Sequence, residues 1–459
     1  MRLVQGGVIV AWILGACTSP TRDGVNGVGE GSGDSDAGPG QDHCDGGAPD
    51  APPSTCAVTG APGTIGPELE LPPNAGAAVV VADRDGNVLY VGPDGVTKLD
   101  AALAPVYTYP HGEVVAVDDV GHAFVAGAFR EPTEFGTGVL VPNDNVDVFL
   151  VELSPSGEVV FATQLGECGG DGVRSIAVAR DGRIAISGAD MGTVVTDAHG
   201  AIVFRLAPSG ALAFDTHGEL VIAGAFAGEL DLGDAHRLST TSPSDIDAFV
   251  ARYDEHGCFD FGIQLGDAPL PVHIDGYGDV TTPRTQVIDG VATGLDDSIA
   301  ITGAFLYEID LFGATLTEQP SFPSGHLAGT FVAKLAADGS VVFARSTWSA
   351  NEALPIGGLR IFSAPLAPSP GTAIAVDATG RVVVSANTPG NTQPPFAYPQ
   401  LTRYDAVTGA SDLSIGNTIG PAGYGLGVAI DGCANLVWAR LENTPSLFFP
   451  HVFIAKLAP

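Results

Sequence analysis

The sequence predicts an all-β chain, a β-propeller of seven blades with about four antiparallel strands each. Composition is the first observation behind this. There are 62 glycines and 34 prolines in 459 residues, with 45% apolar and 16% charged side chains. That profile suits many short strands joined by tight turns, not helices. The second is a repeated unit. AFVAGAF at 123–129 is followed by DVFLVELSPSGEVVFATQLG at 147–166, LVIAGAF at 220–226 by DAFVARYDEHGCFDFGIQLG at 247–266, and SIAITGAF at 298–305 by TFVAKLAADGSVVFAR at 330–345. The third is the count. Seven such units run from residue 77 to the C-terminus, and units of roughly 40–50 residues with about four strands are propeller-like.

Residues 1–17 read as an export signal. Arg2 opens it, Val8 to Leu14 form an apolar run too short to span a bilayer, and Gly15 and Ala16 precede Cys17. Leu14-Gly15-Ala16-Cys17 resembles the bacterial lipobox, so Cys17 is expected to carry lipid. A diacylglyceryl group with an amide-linked acyl chain satisfies the need for more than one chain in stable anchoring. Thr18 after the cysteine favours the outer membrane under the enteric sorting rule. The expected location is therefore the bacterial cell envelope, with the membrane met only through the lipid.

Residues 18–73 are rich in Gly, Ser, Asp and Pro and poor in large apolar residues, a composition that cannot offset the entropy of ordering. We read them as a disordered linker. Asp34, Asp36, Asp42 and Asp45 hint at a calcium loop, but Pro39 stands where the turn glycine of an EF-hand belongs. Calcium is the one ion the residues suggest, and no cofactor is expected.

The propeller is expected over 74–459. Its units span 77–109, 113–166, 175–214, a fourth beginning within the end of the third and closing at 266, then 291–348, 372–415 and 427–459. Within a unit two β-runs flank a polar turn, as in Ile374-Ala375-Val376-Asp377-Ala378-Thr379-Gly380-Arg381-Val382-Val383-Val384. Gly tolerates the positive φ of such turns and Asp bonds its own following amides. Asp83, Asp118, Asp215 and Asp431 sit at or near the same place, where turn chemistry outweighs metal ligation. Many runs are apolar throughout, as strands covered on both faces must be. Phe129, Phe226, Phe305, Phe149, Phe249 and Phe331 are expected between blades. The last unit is one strand short, and residues 64–71 lie where they would supply it and close the ring.

Setting Cys17 aside leaves Cys44, Cys56, Cys168, Cys258 and Cys433. Cys44 with Cys56 is the natural local disulfide, and Cys168 with Cys258 a second possibility that leaves Cys433 free; connectivity does not follow from sequence. No Cys/His spacing suggests zinc.

Two patterns resemble the SBBP repeat of bacterial seven-bladed β-propellers: AVD-x-x-G-x-x-x-V-x-G-x-F at 116–129, and D-x-F-V-x-K/R-L/Y-x-x-x-G at 247–257 and, more loosely, 330–339. The resemblance covers about residue 77 onward. It implies a seven-bladed fold in a secreted or lipid-anchored bacterial protein and brings no catalytic residues. Units one, three, six and seven lack Gly-Ala-Phe.

Net charge is −34, and the only lysines are Lys98, Lys334 and Lys456. Nucleic acid needs cations on its partner, so DNA and RNA are excluded as expected ligands. There is no GxSxG, HExxH, Walker or Rossmann pattern, no sialidase Asp-box, and no HxH among ten histidines. His122, His199, His217 and His256 read as solvated turn residues. Candidate binding loops are the two long inserts. Residues 267–286 hold His273, Asp275, Tyr277 and Asp279; residues 349–371, just after Trp348, hold Asn351, Glu352 and Arg360. The expected function is a monomeric, non-enzymatic scaffold that binds an envelope protein or glycan. The alternatives are a polysaccharide hydrolase or lyase working from the central funnel, and a passive coat protein. Carboxylates, histidine and tyrosine clustered at the funnel mouth would favour the enzyme, and an apolar mouth the scaffold.

Overall fold

Strand runs that are apolar on both faces find a sheet on both faces. Val88 packs toward one neighbouring blade and Leu89, the next residue, toward the other; both are fully buried. Seven apolar clusters result, one at each junction between consecutive blades.

The computed structural model describes residues 58–71, 79–143, 145–167, 172–243, 245–266, 272–274, 278–280, 285–306, 308–311, 314–317, 328–346, 373–389, 397–416, 423–442 and 451–459. All belong to one unit, Pro52–Pro459. The expected signal with Cys17, most of the expected linker, and Cys44, Cys56 and Cys168 lie outside the described residues.

Seven four-stranded antiparallel sheets form a seven-bladed propeller. Blade 1 is Val80–Ala82, Val88–Gly92, Gly95–Leu99 and Pro105–Tyr109; blade 2 is Val114–Val117, Ala123–Phe129, Asp147–Leu153 and Val159–Glu167. Blade 3 is Val173–Val178, Ile184–Gly188, Gly192–Thr196 and Ile202–Leu206; blade 4 is Ala211–Phe214, Leu220–Ala227, Ile246–Tyr253 and Phe259–Leu265. Blade 5 is Gln286–Thr293, Ile299–Leu306, Ala328–Leu335 and Val341–Ser346; blade 6 is Ala373–Val376, Val382–Pro389, Ala397–Tyr404 and Ser411–Gly416. Blade 7 is Gly423–Ile430, Leu436–Glu442 and His451–Leu457, completed by the N-terminal strand Ile65–Glu70. First strands of adjacent blades touch all round the ring, blades 7 and 1 included.

The closing strand pairs antiparallel with the last one, Glu68 opposite Ala455 and Leu69 opposite Ile454. Arg440 pairs with Glu68, and the Val58 amide donates to Asn435 Oδ1 at 2.7 Å. The strand thus ties the two ends of the chain together and covers an otherwise open sheet edge.

Two boundaries differ from the repeat count. Ala211–Phe214 is the first strand of blade 4, not the end of unit three, because Leu212 packs into the cluster it shares with blade 3. The fifth blade starts at Gln286. Cys433 is disulfide-bonded, as is Cys258, so Cys433 is not the free thiol.

Gly-Ala-Phe also acquires a structural meaning. Blades 2, 4 and 5, which carry it, have a two-stranded hairpin between their second and third strands: Thr133–Glu134 with Val139–Leu140, Glu229–Gly233 with His236–Ser239, and Glu308–Leu311 with Ala314–Thr317. Each hairpin folds a buried residue into a blade junction: Phe135, Leu232, and Ile309 with Leu311. The Gly-Ala-Phe phenylalanines, Phe129, Phe226 and Phe305, lie in the same clusters, as do Phe149, Phe249 and Phe331.

Candidate functional site

The antiparallel topology sends every connection to one of two ends. First-to-second and third-to-fourth strand connections share one face, here the turn face. Second-to-third connections and the links between blades share the other, the loop face.

The turn face is built by aspartate. In blades 1, 2, 4, 6 and 7, Oδ1 of Asp83, Asp118, Asp215, Asp377 and Asp431 accepts the amides two and four residues on, at 2.8–3.0 Å. These bonds hold the turn while a residue at positive φ reverses the chain, as Gly86 does at 82°. Burial opposes ionisation of Asp377, but bonds from Thr379 and Arg381 win and hold its carboxyl below the usual range.

Beneath these turns lies a feature that the sequence analysis missed. Lys98, Lys334 and Lys456 are 3%, 3% and 1% exposed. Each is the penultimate residue of a third strand, followed by leucine. Lys98 Nζ lies 3.3 Å from Asp83 Oδ2 and bonds Gly121 O of blade 2 at 3.4 Å. Lys456 Nζ lies 3.0 Å from Asp431 Oδ2 and bonds Gly86 O of blade 1. Lys334 lies 3.5 Å from Asp296 and bonds Gly380 O of blade 6 at 2.9 Å. Each lysine therefore latches the turn of its own blade to that of the next. The missed signal was the shared Lys-Leu ending in a chain with so few lysines.

The loop face has no such uniformity. Its connections range from residues 93–94 in blade 1 to residues 347–372 between blades 5 and 6. Within the first candidate insert, Val272–Ile274 pairs with Gly278–Val280, which sets His273 opposite Asp279. Asp275, Tyr277, Trp348, Asn351, Glu352 and Arg360 lie outside the described residues.

Toward the turn face six inner strands end in apolar residues partly buried in the clusters, namely Val81, Ala82, Val117, Val178, Ala213, Phe214, Val376 and Ile430, whereas blade 5 ends in Thr293, and Arg174 and Asp289 stand on the inner strands of blades 3 and 5. An open depression of about 260 Å³ lies between blades 7, 1 and 2, lined in part by Asp83, Asp118, Asp119, Asp431 and Arg84. Of these carboxylates Asp83 and Asp431 are held by lysine, and Asp118 holds its own turn. Burial, then Asp83, pushes Tyr107 up to about 12, and burial takes Tyr404 to about 12. His122, on the turn of blade 2, pairs with Glu152, which stands where blade 1 has Lys98.

No protein-family profile and no curated protein matches the sequence. Several solved structures are similar to this chain. The Pan2 WD40 domain of Neurospora crassa is 11% identical, covering 88% of this chain and 97% of its own, with a TM-score of 0.42. A chain of a mitotic checkpoint complex is 9% identical, covering 86% and 92%, with a TM-score of 0.44. A protein of unknown function from Dyadobacter fermentans is 10% identical, covering 86% and 98%, with a TM-score of 0.41. The seven-bladed arrangement rests on the strand pairing itself.

Proposed function

We propose that this chain is an exported, lipid-anchored propeller of the SBBP kind, which binds a protein or glycan of the bacterial envelope through its loop face and carries out no chemistry of its own. The observation that carries this reading is the contrast between connection lengths at the two ends of the disc. Loops free to vary on a rigid scaffold are where recognition usually sits. The apolar turn-face ends of six inner strands support binding over funnel catalysis, since catalysis needs convergent polar groups of matched pKa. The anchor is supported by the sequence of residues 1–17, with Cys17 as the lipid-bearing residue. Among the described residues no helix is long and apolar enough to cross a membrane.

The test is capture from intact cells. A photo-crosslinking residue is placed in 267–285 or 347–372, with a tag at the C-terminus. One reproducible envelope partner, lost when either segment is shortened in a still-folded protein, is the expected outcome. Absence of a specific partner, or a partner that survives both deletions, overturns the loop-face reading. Labelling with a radioactive fatty acid that persists in Cys17→Ala would overturn the anchor.

A further inference from the structure

The turn-face latch is altered in blade 4, and the alteration leaves a buried aspartate oxygen without the two donors it has elsewhere. In blades 1 and 7 the second aspartate oxygen is satisfied twice, by lysine and by an asparagine amide: Asn87 Nδ2 donates to Asp83 Oδ2 at 2.7 Å and Asn435 Nδ2 to Asp431 Oδ2 at 2.8 Å. Blade 4 has Glu219 at the asparagine position and Arg252 at the lysine position. The guanidinium of Arg252 turns aside, bonding Asp260 at 2.5–2.8 Å and lying 3.2 Å from Glu219. Its nearest approach to Asp215 Oδ2 is 3.9 Å. Asp215 Oδ2, on a side chain that is 1% exposed, has no N–H donor within hydrogen-bond distance, and its carboxyl neighbours that of Glu219. Blade 4 thus replaces one amide donor with a second acid and shares its one cation among three carboxylates, with the buried Asp215 the farthest from it.

Across the junction, blade 5 adds a third acid at the point where the lysine latch meets the next blade elsewhere. Lys98, Lys334 and Lys456 reach the carbonyl of the positive-φ turn residue in the following blade: Gly121, Gly380 and Gly86. In blade 5 that turn residue is Asp297, at φ 57°. Its Oδ1 accepts from Thr216 N at 3.0 Å and Thr216 Oγ1 at 2.5 Å, and its Oδ2 lies 3.0 Å from His217 Nδ1. One oxygen of Asp215, one of Asp297 and one ring nitrogen of His217 all lie within 4.8 Å of one another.

We propose that Asp215, His217 and Asp297 bind a divalent cation, which joins blade 4 to blade 5 where a lysine ammonium joins other blades. Two carboxylates with one imidazole favour a first-row ion such as Mn²⁺ or Zn²⁺ over Ca²⁺ and Mg²⁺, which prefer an all-oxygen shell. Three protein ligands leave the remaining positions to water. The ion adds positive charge to a cluster that Arg252 approaches only to 3.9 Å.

The full chain, stripped of metal by a chelator, is titrated calorimetrically with Mn²⁺ and Zn²⁺, with Ca²⁺ and Mg²⁺ in parallel. One saturable site is expected, with a thermal midpoint that rises with metal concentration as linkage requires. Asp297→Gly supplies the residue that other blades use at this φ, so it folds without metal yet binds at least about tenfold more weakly. Arg252→Lys offers an ammonium to Asp215 and lowers affinity in the same sense. If either variant fails to fold, His217→Gln, at an exposed side chain, gives the same reading. No saturable site in the wild type, or equal affinity in wild type and Asp297→Gly, overturns the proposal; the latter outcome assigns any binding to the acidic surface at large.

Discussion

The two faces of the disc solve the same problem, turning a strand back on itself, in opposite ways. On the turn face the reversals are short and nearly uniform, and an aspartate at the head of the turn repeats in five of the seven blades. On the loop face lengths differ from blade to blade, and three blades fold a hairpin into a neighbouring junction. The difference teaches where each kind of constraint acts. A turn whose aspartate is tied to the next blade by a buried lysine cannot lengthen without breaking the ring. A loop that touches only its own blade is free to diverge.

The comparison breaks most decisively if the latch is dispensable. Lys456→Met leaves Asp431 buried without its cation and is expected to cost about 3–5 kcal/mol in urea denaturation. A loss within error would show that the turn face tolerates change as the loop face does. Gly432→Ala is next. A β-carbon there would lie 1.9 Å from the Arg84 carbonyl oxygen, so a loss of about 1–3 kcal/mol is expected from overpacking where blades 7 and 1 meet. Replacing 347–372 by a six-residue link should change stability by only about 1–1.5 kcal/mol, since loop entropy varies slowly with length, while abolishing partner capture. A large loss of stability would instead make that segment part of the fold.

The smallest effect is in pH. Asp377 and Asp296 both have folded pKa values below the ordinary 3.8. Burial opposes this in each; at Asp296 the Ser298 hydroxyl and Lys334 outweigh it. Groups with depressed folded pKa values contribute stability above their unfolded pKa and lose it as pH falls through the folded one. A melting series should therefore fall off below about pH 4, and the fall should be shallower in Asp377→Asn. An unchanged slope would take Asp377 out of the account.

The blades were legible because propeller physics repeats itself. Apolar-throughout runs such as Val382–Val384 and turn signals such as Asp377 to Gly380 report local backbone needs, and these recur in sequence wherever they recur in space. The ring-closing strand could be read from an incomplete last unit. The junction between units three and four was harder, because Leu206 to Leu212 offers only Ala-Pro-Ser-Gly-Ala as punctuation and the true boundary depends on what Leu212 packs against. The latch was invisible for a related reason. Lys98 and Asp83 lie far apart in the chain, and nothing local shows that lysine turns inward beneath the turn. The cation cluster was hidden further still, since His217 and Asp297 belong to different blades and each alone reads as an ordinary turn residue.

Burying every lysine has a consequence for how the protein meets reagents. The chain contains three lysine side chains, and all three are locked under turns with their ammonium groups engaged. An acylating ester selective for amines should leave these side chains untouched in the folded protein and modify all three once the ring opens. A mass shift of three labels then reports unfolding directly, molecule by molecule, and conventional lysine-to-lysine coupling will not register this propeller's neighbours while it is folded.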